Sequence, residues 1–315
     1  MARSGNEVVR ASLPSRYNCT HRPMRRRDLF RTLPALPLAL AAPVAAPAAG
    51  RSSRLRTSIC AYSFRKALEA GKLQYADLVD MAIEHGIDGL DLTVYWFPQK
   101  DLEKFLTALR LKAYKNAVEI PSIAIRSNLC RENERDRRQE AAWLMHWVDV
   151  ADRLGASFIR VFGGTVPKGS TEDQAAEWCV EILREAGDYA ATKGVILGLE
   201  NHGGITLRAD RVIQIVKTAN HPFVAVNLDT GNFREDFYAQ IGKCIPYAAN
   251  SQFKVEMRGE GDRREPSDWD RIVKMLADGG YRGYMALEYE ADEDPFVAVP
   301  RHLAALRKLA GKYSG

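Results

Sequence analysis

Glu200 closes the run VILGLE (195–200), Asp229 closes FVAVNLD (223–229), Glu288 sits in YMALEYE (284–290), and Gln252 lies in NSQFKVEM (250–257). Each polar group interrupts residues that otherwise suit burial. Carboxylates gathered about 4 Å apart repel one another by about 4 kcal/mol per pair at an effective dielectric near 20. They coexist only when protonated or matched by positive charge. Lys254 and Arg160 can supply part of that charge. Oxygen donors of this kind suit a hard or borderline divalent ion, with Mn²⁺ first, Mg²⁺ or Co²⁺ next, and Zn²⁺ less favoured without thiolate or histidine ligands.

Each of these residues also has a purely structural use. Glu200 can cap the helix that follows, and Asp229 before TGN can form an Asx turn. Gln252 can serve the core as a hydrogen-bond partner, and Glu288 can pair with Lys254. Glu290 competes with Glu288 along the same face. His202 lies two residues beyond Glu200, on the same side, and is a candidate for substrate contact, as is Arg160. Asn232, Arg126, Asn128 and Tyr62 complete the candidate pocket.

These residues need elements to position them. Eight β-type runs follow residue 54: 55–64, 89–94, 119–129, 157–164, 195–203, 223–232, 250–257 and 284–290. Between them stand amphipathic patterns such as YADLVDMAIEHG, QEAAWLMHWVDVADRLG and TEDQAAEWCVEILREAGDYAATKG, with apolar residues at three- and four-residue spacing and a glycine stop. Strands alternating with such helices imply parallel βαβ units. Eight units over residues 50–315 predict one α/β domain, a single (β/α)₈ TIM barrel. A doubly wound sheet is the alternative, but no GxGxxG follows the first strand. Alternation within the strands sets Ser122, Ala124, Arg126 and Asn128 against Ile123 and Ile125, and Ala225, Asn227 and Asp229 against Val224, Val226 and Leu228. The polar set gathers at the C-terminal ends, where barrels of this kind carry their active sites.

In this order the segments LENHGG, VNLDTGNF, QFK and ALEYE resemble the sugar-phosphate isomerase/epimerase, or xylose-isomerase-like, barrel superfamily over about residues 55–310. The resemblance implies a single divalent metal held by Glu200, Asp229, Gln252 and Glu288. Relatives often carry His where Gln252 stands; a glutamine carbonyl oxygen can replace it and favours harder ions. The resemblance further implies a sugar or keto-sugar substrate, polarised by the ion as a Lewis acid. Glu200 and Glu288 would then remove and return the proton beside the carbonyl through an enediolate. Lys254, Arg160 and His202 would stabilise charge or orient hydroxyls. Return of the proton makes an isomerase or epimerase. Loss of a β leaving group makes a lyase of the 3-dehydroshikimate or 3-keto-glycoside type, with His202 as the acid. A non-catalytic carbohydrate-binding barrel is a third reading.

Charge bears on partners and address. The chain carries a formal +5, but residues 1–50 hold eight arginines against Glu7 and Asp28, which leaves the rest near −1. A near-neutral domain with six histidines in the whole chain gives nucleic-acid binding, or a metal-dependent endonuclease, little to rest on. The arginines precede an apolar, Ala- and Pro-rich run: RRRDLFR, then TLPALPLALAAPVAAPAAG. That order matches an export signal over residues 1–49 of the twin-arginine type, with cleavage near Ala48 or Ala49 and the mature protein in the periplasm. Met24 is an alternative start. The transient partner would be the twin-arginine export machinery; oligomeric state is not legible. Cys19, Cys60, Cys130, Cys179 and Cys244 are scattered without a CxxC, which predicts separate thiols rather than a disulfide framework.

Overall fold

A computed structural model describes residues 54–259, 261 and 263–314, all within the unit Ala46–Gly315. The export signal, its cleavage site, Met24 and Cys19 lie outside the described residues. Ten strands and nine helices occur among the described residues: β1 Arg54–Cys60, α1 Arg65–Glu69, α2 Tyr75–His85, β2 Gly89–Thr93, α3 Leu102–Lys115, β3 Glu119–Ala124, α4 Glu134–Leu154, β4 Phe158–Phe162, α5 Glu172–Lys193, β5 Ile196–Glu200, α6 Ala209–Ala219, β6 Val224–Asp229, α7 Phe237–Cys244, β7 Ala248–Phe253, β8 Glu256–Arg258, β9 Arg264–Pro266, α8 Trp269–Asp278, β10 Arg282–Leu287 and α9 Pro295–Tyr313. Eight strands close into a parallel barrel in the order β1-β10-β7-β6-β5-β4-β3-β2. That excludes the doubly wound alternative.

Local sequence explains the helices. α5 starts at a reciprocal capping box between Thr171 and Gln174 and stops at Gly194, whose φ of 70° suits a residue without a side chain. Along α4, Ala141, Leu144, Val148 and Ala151 recur at three- and four-residue steps and are buried against the sheet. Asn133 caps its start, and Gly155 ends it at φ 78°.

The strands are shorter than their hydrophobic runs. The first gives way to a 3-10 turn at Ala61–Phe64, and the third ends at Ala124, so Arg126 and Asn128 leave it on a loop. The run 250–257 divides: barrel pairing ends at Phe253, and Glu256–Arg258 turns away to pair antiparallel with Arg264–Pro266. In each case the polar residues predicted at a strand end stand on the rim, where the ladder no longer dictates alternation.

The barrel interior is polar over part of its height. Asp91, Ser122, Asn227, Asn250 and Gln252 are all buried. Ser122 Oγ donates to Asp91 Oδ2 at 2.5 Å, and Asn250 Nδ2 donates to Asn227 Oδ1 at 2.9 Å. Gly198 makes room for one large ring, since a Cβ there would stand 1.9 Å from Phe158 Cζ.

Candidate active site

Four strand ends carry the predicted ligands. Glu200 is the last residue of β5, Asp229 the last of β6, Gln252 the penultimate residue of β7, and Glu288 follows β10 directly. The register sets Asp229 beside Gln252, and Gln252 beside Ala286. All four side chains are buried, and all four lie at the C-terminal mouth.

Positive charge is interleaved with them. Arg160 of β4 places Nε 3.1 Å from Glu200 Oε2. Lys254 Nζ lies 3.5 Å from Asp229 Oδ2 and 3.3 Å from Glu288 Oε2, and it also pairs closely with Glu290. Glu290, the predicted competitor of Glu288, is therefore the outer partner of the same lysine. Two cations face four carboxylates, Glu200, Asp229, Glu288 and Glu290.

The charges are paired but poorly solvated. Burial, only partly opposed by Arg160, pushes the Glu200 carboxyl well above its usual range. Burial also raises Asp229, against Lys254, and lifts Glu288 to about 7. Glu290 suffers the same desolvation, but Lys254 outweighs it and holds that carboxyl low. Lys254 is held strongly protonated: burial opposes its charge, and Asp229, Glu288 and Glu290 overcome it. A carboxyl that titrates near neutrality, as Glu288 does, is matched to proton transfer.

Neutral amides fix the carboxylates. Asn227 Nδ2 donates to Glu200 Oε2 at 2.9 Å and to Gln252 Oε1 at 2.8 Å. Asn201 clasps the backbone of Asp229 through two bonds, at 2.8 and 2.9 Å. Asp229 Oδ1 accepts from the backbone N–H of Gly231 at 2.8 Å, which is the predicted Asx turn. Its other oxygen, Oδ2, is buried without a hydrogen bond.

That orphaned oxygen bears on the implied metal. Among the described residues no group of three His, Cys, Asp or Glu side chains is placed to hold an ion as it stands. Lys254 lies between Asp229 and Glu288, and Glu200 turns to Arg160. The donor set nevertheless fits a divalent cation: an excess of two carboxylates, an unbonded Asp229 oxygen, and a Gln252 carbonyl aligned by Asn227. Glu200, Asp229, Gln252 and Glu288 are the residues that would hold it.

The remaining candidates divide. Asn232 Nδ2 reaches Glu200 Oε1 at 3.4 Å and belongs to the site. It also lines a small cleft of about 10 Å³ beside Lys254, together with Arg258 and Glu290. His202 stacks on Phe162 at 3.8 Å and leaves its outer side exposed. Burial of the inner side, then the Arg160 and Lys254 charges, push the imidazole down to about 4. Tyr62 stands on the rim, stacked on Trp96 at 6.1 Å and edge-on to Tyr95 at 6.3 Å. Arg126 lies over the Tyr95 ring at 4.3 Å. Asn128 is not brought to the carboxylates. Its Oδ1 accepts from the Cys130 N–H at 3.1 Å and its backbone N–H donates to Glu140, so it shapes the loop after β3. Cys60, Cys130, Cys179 and Cys244 are free and buried.

Sequence reasoning missed Asn227, Asn201, Asn250, Asp91 and Tyr95. Asn227 carried a legible signal, since it shares a strand face with Asp229. The others are recognisable only from their partners across the barrel.

A profile of the xylose isomerase-like TIM barrel family matches residues 79–309. No curated protein matches the chain in sequence. Among solved structures, the D-psicose 3-epimerase of Clostridium cellulolyticum H10 is similar at 19% identity and a TM-score of 0.66, over 82% of this chain and 99% of that one. The 3-keto-D-glucoside 4-epimerase of E. coli is similar at 15% identity and a TM-score of 0.63, over 81% and 99%. A probable 3-DHS dehydratase of Bacillus anthracis follows at 17% identity and 0.59, over 81% and 98%. At these identities the likeness is one of fold. The family match spans well over half of the chain and includes every strand end that carries a predicted ligand; the chain belongs to the xylose isomerase-like TIM barrel family.

Proposed function

We propose that the protein is a divalent-metal-dependent isomerase or epimerase of a sugar or keto-sugar, with Mn²⁺ as the preferred ion. The observation that carries this reading is the placement of two acid–base carboxylates, Glu200 and Glu288, at one mouth with Asp229 and Gln252 between their strands. The ion, when bound, supplies Lewis-acid polarisation of the substrate carbonyl. Glu200, oriented by Arg160, Asn227 and Asn232, takes the proton from the neighbouring carbon. Glu288, following β10 across the mouth from β5, delivers a proton on the opposite side. Lys254 and Arg160 stabilise the oxyanion that develops between these events.

Elimination stands second. It needs an acid for the departing oxygen, and His202 is kept neutral by its stacked, half-enclosed position and the nearby cations. Incubation with ketoses and 3-keto-glycosides in D₂O separates the readings. Deuterium incorporation without fragmentation, lost in Glu200→Gln, supports epimerisation or isomerisation. Release of an aglycone overturns it in favour of a lyase. Ligand affinity without exchange identifies a carbohydrate-binding barrel.

We further place the mature enzyme in the periplasm, exported folded by the twin-arginine route. The support is the order of paired arginines, Asp28-Leu29-Phe30 and a short apolar run. Folding around its ion inside the cell would protect the site from tighter-binding ions outside. Fractionation of cells expressing Arg25→Lys/Arg26→Lys/Arg27→Lys checks this; unchanged periplasmic recovery refutes it.

A further inference from the structure

We infer that the mouth holds a second subsite, at Arg126, which takes a carboxylate carried by the substrate itself, so that the preferred substrate is a sugar acid such as a keto-uronate. This deepens the sugar or keto-sugar reading above and rests on it.

Arg126 is exposed and, among the described residues, makes neither an ion pair nor a hydrogen bond. Its guanidinium carbon lies over the Tyr95 ring, 4.3 Å from the ring centre, and its unpartnered N–H groups can take a planar anion. The stem is not loose. Ile125 N–H donates to Arg160 O at 3.2 Å, and Ser127 Oγ bonds both the carbonyl and the N–H of Phe162, at 2.9 and 2.7 Å. Residues 125–127 are thereby fastened alongside the end of β4.

That fastening fixes the height of Arg126 in the barrel. Ala124 pairs with Arg160 and Phe162 with Glu200. Two residues beyond Ala124, Arg126 therefore stands at the tier of Phe162 and Glu200. A chain of contacts links the two ends. Arg126 covers Tyr95, Tyr95 OH accepts from Arg160 Nη1 at 3.3 Å, and Arg160 pairs with Glu200. β3 and β5 are two strands apart, about 10 Å at ordinary strand spacing. One sugar ring with an exocyclic carboxylate bridges that gap once the two long side chains reach inward.

Charge completes the argument. The far side of the mouth carries Glu200, Asp229, Glu288 and Glu290 and repels an anion. Arg160 is committed to Glu200, so Arg126 offers the anion a single planar guanidinium, which matches a carboxylate monoanion better than a dianionic phosphate.

The test compares matched pairs, D-fructose with D-fructuronate and D-tagatose with D-tagaturonate, with D-fructose 6-phosphate as a third arm, in D₂O with the Mn²⁺-loaded full chain. The expected result is a kcat/KM at least about tenfold higher for the carboxylate member, expressed mainly in KM. Arg126→Met should collapse that ratio toward one, and Arg126→Lys should keep part of it. In parallel, binding of D-glucuronate and of D-glucose is followed by tryptophan fluorescence, and only the former should bind and weaken with salt. Equal rates for both members of each pair, with a ratio untouched by Arg126→Met, overturn the subsite while leaving the proposed reaction standing. A preference for the phosphate ester overturns the carboxylate assignment. Exchange with none of the sugars defeats the reaction instead, and the glucuronate titration then decides Arg126 alone.

Discussion

Arg160 holds Glu200 by charge rather than by a hydrogen bond: Nε lies 3.1 Å from Oε2, both side chains are withdrawn from solvent, and among the described residues no acceptor is in line with the N–H. The carboxylate is thereby neutralised while its lone pairs stay available to Asn227 and Asn232. Arg160→Met leaves a buried carboxylate facing Glu288 and Asp229 without its counter-ion, and removal of one partner from a buried pair costs about 3–5 kcal/mol. Chemical denaturation should show a loss of that order, and Arg160→Met/Glu200→Gln should recover much of it. Additive losses in the double variant would mean that the pair carries no coupling.

Asp229 provides the cleanest assay for a divalent ion. Its Oδ2 is buried and unbonded, and it faces the Lys254 ammonium at 3.5 Å. An ion bound solely by the folded state, at about 100 times its dissociation constant, adds about 2.7 kcal/mol. In a barrel of this size that raises the unfolding midpoint by roughly 5–10 °C. Differential scanning fluorimetry with Mn²⁺ should show the rise, EDTA should reverse it, and Asp229→Asn should abolish it. An Asp229→Asn variant that responds as fully as the wild type would remove this residue from the ligand set.

Lys254 is the internal competitor of that ion. It faces Asp229, Glu288 and Glu290 together, so its removal leaves three carboxylates with no cation among them. Lys254→Met should therefore be less stable than the wild type in EDTA, yet gain more from Mn²⁺. Under the proposed mechanism deuterium exchange should fall at the same time, because the lysine would also stabilise the developing oxyanion. The two midpoints measured with and without Mn²⁺ check this; a variant that gains less than the wild type contradicts it.

The barrel was legible because periodicity alone separates strands from helices, and eight alternating units admit few closures. Glu200, Asp229 and Glu288 were legible because a charge at the end of an apolar run is costly unless something uses it. Three features were not. The break after Phe253 depends on the pairing of Glu256–Arg258 with Arg264–Pro266, which no local signal in NSQFKVEM encodes. Asn128 shares its strand parity with Arg126, but β3 ends at Ala124 and parity lapses with it. The amide ladder from Asn250 through Asn227 to Glu200 and Gln252 joins different strands, so its connections are not readable from any one segment, even though Asn227 and Gln252 stand out singly.

The two glycines after His202 are unequal, and the difference is measurable. Gly203 has φ 97° and open space where a Cβ would stand, so a side chain there meets backbone strain alone, about 1–3 kcal/mol. Gly204 has φ 53°, and a Cβ would stand 2.1 Å from the carbonyl oxygen of Gly164, which already accepts the Ile205 N–H at 3.0 Å. The β4 and β5 loops touch backbone to backbone at that point, and this contact sets the loop that carries His202 against Phe162. Gly204→Ala must part them. Urea unfolding should rank Gly204→Ala well below Gly203→Ala in stability, by at least about 2 kcal/mol. Exchange activity should fall with it as His202 loses its stacking partner. Equal stabilities would show that the loops separate freely and that the second glycine is not required by their approach.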